Sequence, residues 1–431
     1  MSSAPHAPSA AWSAADAERW LLSLELFGMH FGLERMRLLM DALGSPNEAF
    51  RAVHVVGTNG KSSTVRMTAA LLCEHGVRTG AYLSPHLVSF SERIRVDGAD
   101  VVPEAFAAAA GRVHAVAQII DRDLEPGDRV TQFEALTAAA YLLLAEARVE
   151  VAVVEAGLGG RWDATNVIAA PVVVLTNIGL EHTRWLGSTV AAIAREKLAV
   201  LSSGATLVLG ADLHPDAGTQ AVIAAARERA AIVRTQAAAD ALAADVELLA
   251  RGAFQRRNFA TACAAARACL DRDLHPVAVR AAAASTAVPG RFEVRPDGDG
   301  ELVLDGAHNA AGVAALVESL PLYLAGRPLV AVVSVLEDKD AAAMLERLLG
   351  LCDGVVFTAS ANPRAIEPER LAELAGELPD HLLARIEQDP RRALAVAREL
   401  AGPRGVVLAT GSIYLVADLA RGAGAGRASM L

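Results

Sequence analysis

Cysteine is scarce in this 431-residue chain. Cys73, Cys263, Cys269 and Cys352 show no metal-ligand spacing, and the nearest two, Cys263 and Cys269, fall on different faces of one helical pattern. Reduced thiols in a cytosolic protein fit best. Long apolar runs are missing as well. Apolar residues make up 53% of the chain and mean hydropathy is +0.32, yet alanine carries the excess. No uninterrupted run reaches the roughly 18 residues that suggest a membrane span. Residues 1–20 lack the basic start and apolar core of a signal peptide and read as a disordered lead. Dense basic runs are absent too: 40 Lys and Arg stand against 50 Asp and Glu, a net charge of −10. That balance argues against a nucleic-acid surface. There is no internal repeat and no heptad pattern.

What is present centres on residues 53–64, VHVVGTNGKSST. Val53, Val55 and Val56 mark a buried strand. The strand breaks into Gly57, Thr58, Asn59 and Gly60, and Lys61, Ser62 and Ser63 then open a segment of helical spacing that stops at His75-Gly76. A strand, a glycine loop, Gly-Lys-Ser and a helix make a phosphate cradle. Loop N–H groups and the helix N-terminus face the anion, the lysine adds a point charge, and a hydroxyl can reach Mg²⁺. Val55 stands where the usual spacing has glycine, so the loop is a shortened one.

The length predicts two domains. A strand over 79–83 runs into Ser84-Pro85-His86-Leu87, followed by a polar loop or edge at 89–96. Further strands end at Glu155 and at Thr176-Asn177, and helices are expected from Thr131, from Ser188 or Thr189, and over 255–270. Near Val288-Pro289-Gly290 the character changes to a clean β-α alternation. Its strands fall near 291–295, 301–304, 329–335, 354–358 and 405–410. The chain divides accordingly into 1–288 and 289–431.

Each candidate site follows a predicted strand, at the edge where open α/β sheets bind ligands. Glu155 ends a fully apolar strand, which is costly without a cation. Beside a phosphate loop that cation is Mg²⁺; the alternative is an ion pair with Arg161. His182 taken alone reads as a packed or surface histidine. Lys197, in a helical Arg-Glu-Lys run, reads as solvated surface. Asp305 could accept from a ribose hydroxyl and His308 could meet a carboxylate or phosphate, the alternative being a helix N-cap with Asn309. Arg291 is a surface ion pair or a phosphate clamp. Gly411-Ser412-Ile413-Tyr414 repeats the strand-glycine-helix theme.

Taken together the motifs resemble the folylpolyglutamate synthase/dihydrofolate synthase branch of the Mur ligase superfamily. The resemblance runs from about Leu21 to Leu419. It rests on FGLERM (31–36), GTNGKSS (57–63), SPHL with ERI (84–94), FEALT (133–137), EAGLGGRWDATNV (155–167), EHTRWLGSTVAAIAREK (181–197), RRNFATA (256–262), PGRFE (289–293), LDGAHN (304–309) and GSIYL (411–415). It implies an α/β chain with a P-loop ATPase-type N-terminal domain on a mostly parallel sheet and a smaller Rossmann-like C-terminal domain. It also implies an ATP-dependent amide ligase that adds L-glutamate to dihydropteroate or a folate through an acyl phosphate.

On that resemblance Lys61 and Gly57–Ser63 cradle the triphosphate, with Asn258, Arg291 and Asp305 as nucleotide contacts. Ser84, Glu155 and His182 are Mg²⁺ ligands, with Ser62 or Ser63 the metal-facing hydroxyl of the loop. Lys197 matches the lysine that the family carbamylates near a second Mg²⁺, and a monovalent cation is implied besides. His308, Ser412 and Tyr414 lie on the glutamate side, and Phe133 with the 84–94 loop faces the pterin or its aminobenzoate. Lys61, Lys197 and His308 are the catalytic residues, in a cytoplasmic monomer. The chain departs from the family at Ser62, where glycine is usual and other Mur ligases carry Ser or Thr. A ligase for another carboxylate acceptor therefore stays open. A nucleotide switch without ligation would leave Asp305, His308 and Ser412 without a task.

Overall fold

The computed structural model describes residues 12–25, 32–210, 213, 216–234, 246–376 and 381–421. Its first sheet is built from β1 (Arg51–Val56), β2 (Thr79–Tyr82), β3 (Ile94–Val96), β4 (Ala99–Asp100), β5 (Val151–Glu155), β6 (Val172–Leu175), β7 (Thr206–Leu209) and β8 (Ala231–Arg234). The order is β4-β3-β2-β5-β1-β6-β7-β8. The six strands from β2 to β8 in that order run parallel, and β3 and β4 add an antiparallel edge. β1, β5 and β6 are buried on both faces, and mostly apolar, because helices cover both. Helices Glu34–Ala42, Pro103–Asp123 and Gln132–Glu146 pack on one face, and Lys61–Glu74, Ala253–Leu270 and Pro276–Ser285 on the other.

A second sheet takes β9 (Glu293–Asp297), β10 (Gly300–Leu304), β11 (Leu329–Val333), β12 (Gly354–Phe357), β13 (Leu383–Ile386) and β14 (Val406–Thr410), in the order β13-β12-β11-β14-β10-β9. It is parallel except for β9. The expected alternation is there, with one strand more than the sequence reading gave. β13 was missed because its residues are mostly exposed, so no apolar run announces it. The 89–96 segment resolves into a short 3₁₀ turn, Phe90–Arg93, and strand β3, which lies between β2 and the edge strand β4. Among the described residues no helix is long and apolar enough to cross a membrane. All four cysteines are free.

The carboxyl ends of β1, β5 and β6 meet those of β10, β11 and β14 across a cleft of about 1680 Å³. One reciprocal pair of amides spans it. Asn59 Nδ2 donates to Asn309 Oδ1 at 3.2 Å, and Asn309 Nδ2 donates to Asn59 Oδ1 at 3.0 Å.

Candidate active site

The phosphate loop has the backbone its sequence demands. Gly57 and Gly60 lie at φ +152° and +80°, and a Cβ on Gly57 would come 1.9 Å from Thr176 Oγ1. Only glycine fits there. Thr176 and Asn177, at the end of β6, hold the loop from beneath. Asn177 Oδ1 accepts the Asn59 N–H at 2.8 Å, and Thr176 Oγ1 donates to the Asn59 carbonyl at 2.7 Å. The helix Lys61–Glu74 starts on Gly60 without a side-chain cap, so its first N–H groups are left for an anion. Asn258 packs over the loop, its Oδ1 2.6 Å from where a Gly60 Cβ would sit. Lys61 Nζ folds back onto the carbonyls of Gly57 and Thr58, at 3.2 and 3.1 Å.

Glu155 stands next to the loop and is buried. Ser62 Oγ donates to its Oε1 at 3.0 Å and the Ser84 N–H to its Oε2 at 3.2 Å. Burial pushes its carboxyl up, opposed by Lys61, the Ser84 N–H, the Ser62 hydroxyl and Arg291. Arg161 is not its partner: that guanidinium pairs with Glu196 at 3.1 Å. Of the two loop hydroxyls, Ser62 faces the carboxylate while Ser63 is buried.

Lys197 overturns its surface reading. It is 5% exposed, and its Nζ donates to the Gly57 carbonyl at 2.8 Å. The glycine-rich run after β5 makes this possible. Gly160 lies so close to the end of helix Val190–Lys197 that a Cβ would sit 2.7 Å from the carbonyls of Glu196 and Lys197. Burial, then the neighbouring Lys61 charge, bring the Lys197 ammonium down to about 7. His182, in the left-handed region at φ 51°, opens a single helical turn. The ring is partly exposed, yet desolvation by the surrounding cleft lowers its imidazole to about 4, with Lys339, Lys61 and Lys197 adding to the effect and Glu181 opposing it. The ring is therefore neutral and able to ligate.

From the second sheet come Asp305, His308, Ser412 and Tyr414. Both Asp305 oxygens accept backbone N–H groups, of Phe292 and of Ala307, each at 2.8 Å. The helix N-cap is Asn309, whose Oδ1 takes the Gly312 N–H at 2.8 Å. Arg291 lies against Gly306, its guanidinium 2.5 Å from the site of an absent Cβ. Ser412 caps the last helix, Ile413–Ala420, by accepting from the Tyr414 N–H at 3.1 Å, and is itself buried. Phe133 lies over Gly157, where a Cβ would be 2.5 Å from its ring, and stacks on Tyr82 at 6.2 Å.

Two charged residues went unread in the sequence. Glu181, after β6, reaches across the cleft to His308 Nε2 at 3.0 Å and Lys339 Nζ at 3.4 Å. Burial works against its charge, yet His308 and Lys339 hold its carboxyl far below the usual range. Both residues follow strands at the ligand edge, which is the one signal that could have flagged them. Lone charges in loops have no periodicity to read.

The donor chemistry suits a small divalent cation. Glu155 is a carboxylate whose burial pushes it toward its neutral form, a cost that a bound divalent cation would offset, with a hydroxyl and a neutral imidazole on the same cleft. Among the described residues no three His, Cys, Asp or Glu side chains cluster tightly enough to cage a metal. Such an ion would take few protein ligands and complete its shell with phosphate oxygens and water, as Mg²⁺ does in phosphoryl-transfer sites.

Residues 290–413 match the family model described as Mur ligase, glutamate ligase domain. The dihydrofolate synthase/folylpolyglutamate synthase of Mycobacterium tuberculosis is 37% identical over 403 residues, 85% of this chain and 82% of that protein. The chain belongs to the dihydrofolate synthase/folylpolyglutamate synthase family. The solved folylpolyglutamate synthase of M. tuberculosis complexed with ADP superposes with a TM-score of 0.84 at 34% identity, covering 95% and 97% of the two chains. The bifunctional enzyme of Yersinia pestis complexed with AMPPNP and Mn gives 0.82 at 29%, covering 96% and 98%. A further structure of a bifunctional folylpolyglutamate synthase/dihydrofolate synthase, with Mn, AMPPNP and L-glutamate bound, gives 0.81 at 30% and the same coverage.

Proposed function

We propose that this family member is an ATP-dependent amide ligase that joins L-glutamate to the carboxylate of dihydropteroate, of a folate, or of both. One observation carries the reading. A phosphate loop with its buried glutamate faces the His308 and Lys339 side chains across one cleft between the two sheets, and we divide the chain there into two α/β units at 288/289. A ligase of this kind needs such a division. The first unit takes the nucleotide and the acceptor, and the second takes the amino acid.

In the proposed reaction the acceptor carboxylate attacks the γ-phosphorus of ATP, and ADP leaves. The amine of glutamate then attacks the acyl phosphate, and the tetrahedral intermediate expels phosphate. Two anions must approach each other in the first step, so positive charge has to be fixed there beforehand. Lys61 and the uncapped helix N-terminus supply it, with Asn258, Arg291 and Asp305 on the nucleotide. Ser62, Ser84, Glu155 and His182 would hold Mg²⁺, which when bound neutralises phosphate charge. Lys197 would serve a second Mg²⁺ after carbamylation, and a monovalent cation is part of the reading. Phe133, over the bare face of Gly157, offers a flat wall to the acceptor's rings. His308, Lys339, Ser412 and Tyr414 form the glutamate side. Holding both substrates in line in a closing cleft supplies the orientation that the second step requires. By family resemblance we take the enzyme to act as a monomer, and we place the reaction in the cytosol.

The test is product analysis of the purified protein with dihydropteroate and tetrahydrofolate side by side. Glutamate-dependent phosphate release with either supports the reading, and the pair shows which ligation is catalysed. Silence with every pterin would hand the site to another carboxylate acceptor. The nucleotide-switch alternative predicts ATP hydrolysis indifferent to glutamate.

A further inference from the structure

The loop after β2 belongs to the first sheet by sequence and to the second by packing. Leu87 is buried in the apolar cluster of the second unit, among Leu302, Leu304, Val332, Leu415 and Val416. Arg421, just beyond the last helix and itself buried, donates its Nε–H to the Leu87 carbonyl at 3.0 Å and a terminal N–H to that of Val88 at 3.5 Å. The loop is stiff within itself. Glu92 accepts the backbone N–H groups of Leu87, Val88 and Ser89 at 3.1, 3.1 and 2.8 Å. His86 Nδ1 accepts from Arg93 Nε at 2.9 Å, and its ring lies 4.3 Å from that of Phe90.

Three residues before Leu87 the same loop touches the nucleotide side. Ser84 gives its N–H to Glu155 Oε2 at 3.2 Å, and its carbonyl faces Ser62 Oγ at 3.5 Å. A short rigid segment thus has one end in the core of the second unit and the other on the carboxylate beside the phosphate loop. Neither Leu87 nor Arg421 lines the cleft, so neither can act on substrate directly.

We propose that Leu87 and Arg421 are positioning residues that make the Glu155–Ser62–Ser84 arrangement depend on the seating of the second unit. The inference rests on assigning Glu155 and Ser62 to the metal-facing side of the nucleotide site. When the second unit is seated, Leu87 fills its core, Arg421 satisfies two loop carbonyls, and Ser84 holds Glu155 in place. When it is displaced, the loop loses both anchors and Glu155 loses one of the donors that keep its carboxylate oriented. The metal-facing side of the nucleotide site is then complete only when the amino-acid-bearing unit is in position, which ties ATP use to ligation.

Arg421→Ala tests this against Ser319→Ala. Ser319 Oγ accepts the Ala253 N–H at 3.0 Å, another contact between the two units that leaves the 84–92 loop alone. Two readouts are taken without glutamate or acceptor: amide hydrogen exchange at Ser84, Leu87, Val88 and Ser89, and Mn²⁺ affinity in the presence of ADP by electron paramagnetic resonance. The expected result for Arg421→Ala is exchange about tenfold faster at those amides, from local rather than global opening, and severalfold weaker Mn²⁺ binding. Arg421→Lys, which keeps one donor, should fall between it and the wild type. Should Arg421→Ala fail to fold, Leu87→Ala asks the same question from the other anchor. Unchanged exchange and Mn²⁺ affinity, or an equal shift in Ser319→Ala, overturns the proposal. Loss of glutamate-dependent turnover in the wild type would sink the proposed function without touching either readout.

Discussion

Lys197 offers the sharpest chemical test, because its burial changes what the amine can do. Its Nζ is held on the Gly57 carbonyl, and burial together with Lys61 lowers its pKa to about 7. At pH 7.5 an amine with that pKa is about three-quarters neutral, whereas a lysine of ordinary pKa is neutral about one time in a thousand. Only the neutral amine attacks CO₂. The nitrogen forms a bond to carbon, a proton leaves, and the side chain changes from a cation to a carboxylate. The site therefore favours carbamylation by roughly three orders of magnitude in available nucleophile. The sign of the pH dependence follows. Carbamate should be scarce below pH 7, rise through about pH 7 to 8, and then level off instead of climbing toward pH 10. The assay is ¹³C NMR of the protein in ¹³C-bicarbonate across that range, with turnover measured in CO₂-depleted and replenished buffer. Lys197→Ala should lose most activity and regain part of it with acetate. A missing carbamate signal, full turnover in CO₂-free buffer and near-wild-type Lys197→Ala would together refute the reasoning.

Lys61→Ala should abolish glutamate-dependent phosphate release while circular dichroism stays that of the wild type; retained turnover would show that the cradle is misread. Glu181→Gln removes the anion that engages His308 and Lys339 across the cleft. An incoming carboxylate then has no internal competitor, so the KM for glutamate should fall severalfold in steady-state kinetics, and an unchanged KM would show that the subsite lies elsewhere. His54, buried in β1 with its Nε2 2.8 Å from Thr165 Oγ1, is lowered by burial to about 4. The unfolded chain takes up that proton near pH 6.5 and the folded one resists to about 4, so stability present above pH 6.5 is lost as pH falls. The loss is on the order of 3 kcal/mol once both states are protonated. Guanidinium unfolding at pH 7 and pH 5 should show about 2 kcal/mol of it, and His54→Gln should flatten the slope.

The phosphate loop, Glu155 and most strands of the second sheet were legible because each is announced locally. An apolar run followed by glycine and a charged residue has one economical reading in an α/β chain. β13 carried no such run, being mostly exposed, and was lost for that reason. Lys197 was misread on spacing because an Arg-Glu-Lys run is what a solvated helix end looks like. Its burial is decided far away in the chain, by a glycine at 160 whose missing Cβ lets two backbones meet. The family resemblance points to Lys197 as a site residue, but only the packing shows its amine held on the Gly57 carbonyl beneath the loop, where burial favours the neutral form. Glu181 and Lys339 pose the same difficulty from the other side. Each is an unremarkable loop charge until two separate sheets bring them within 3.4 Å of each other. Residues that act within one element leave a pattern in the sequence, whereas residues that act across the cleft leave none. The same holds for Leu87 and Arg421, one leucine in a loop and one arginine near the end of the chain. The contacts between the two units are therefore where physical reading of the structure adds most to what motifs already tell.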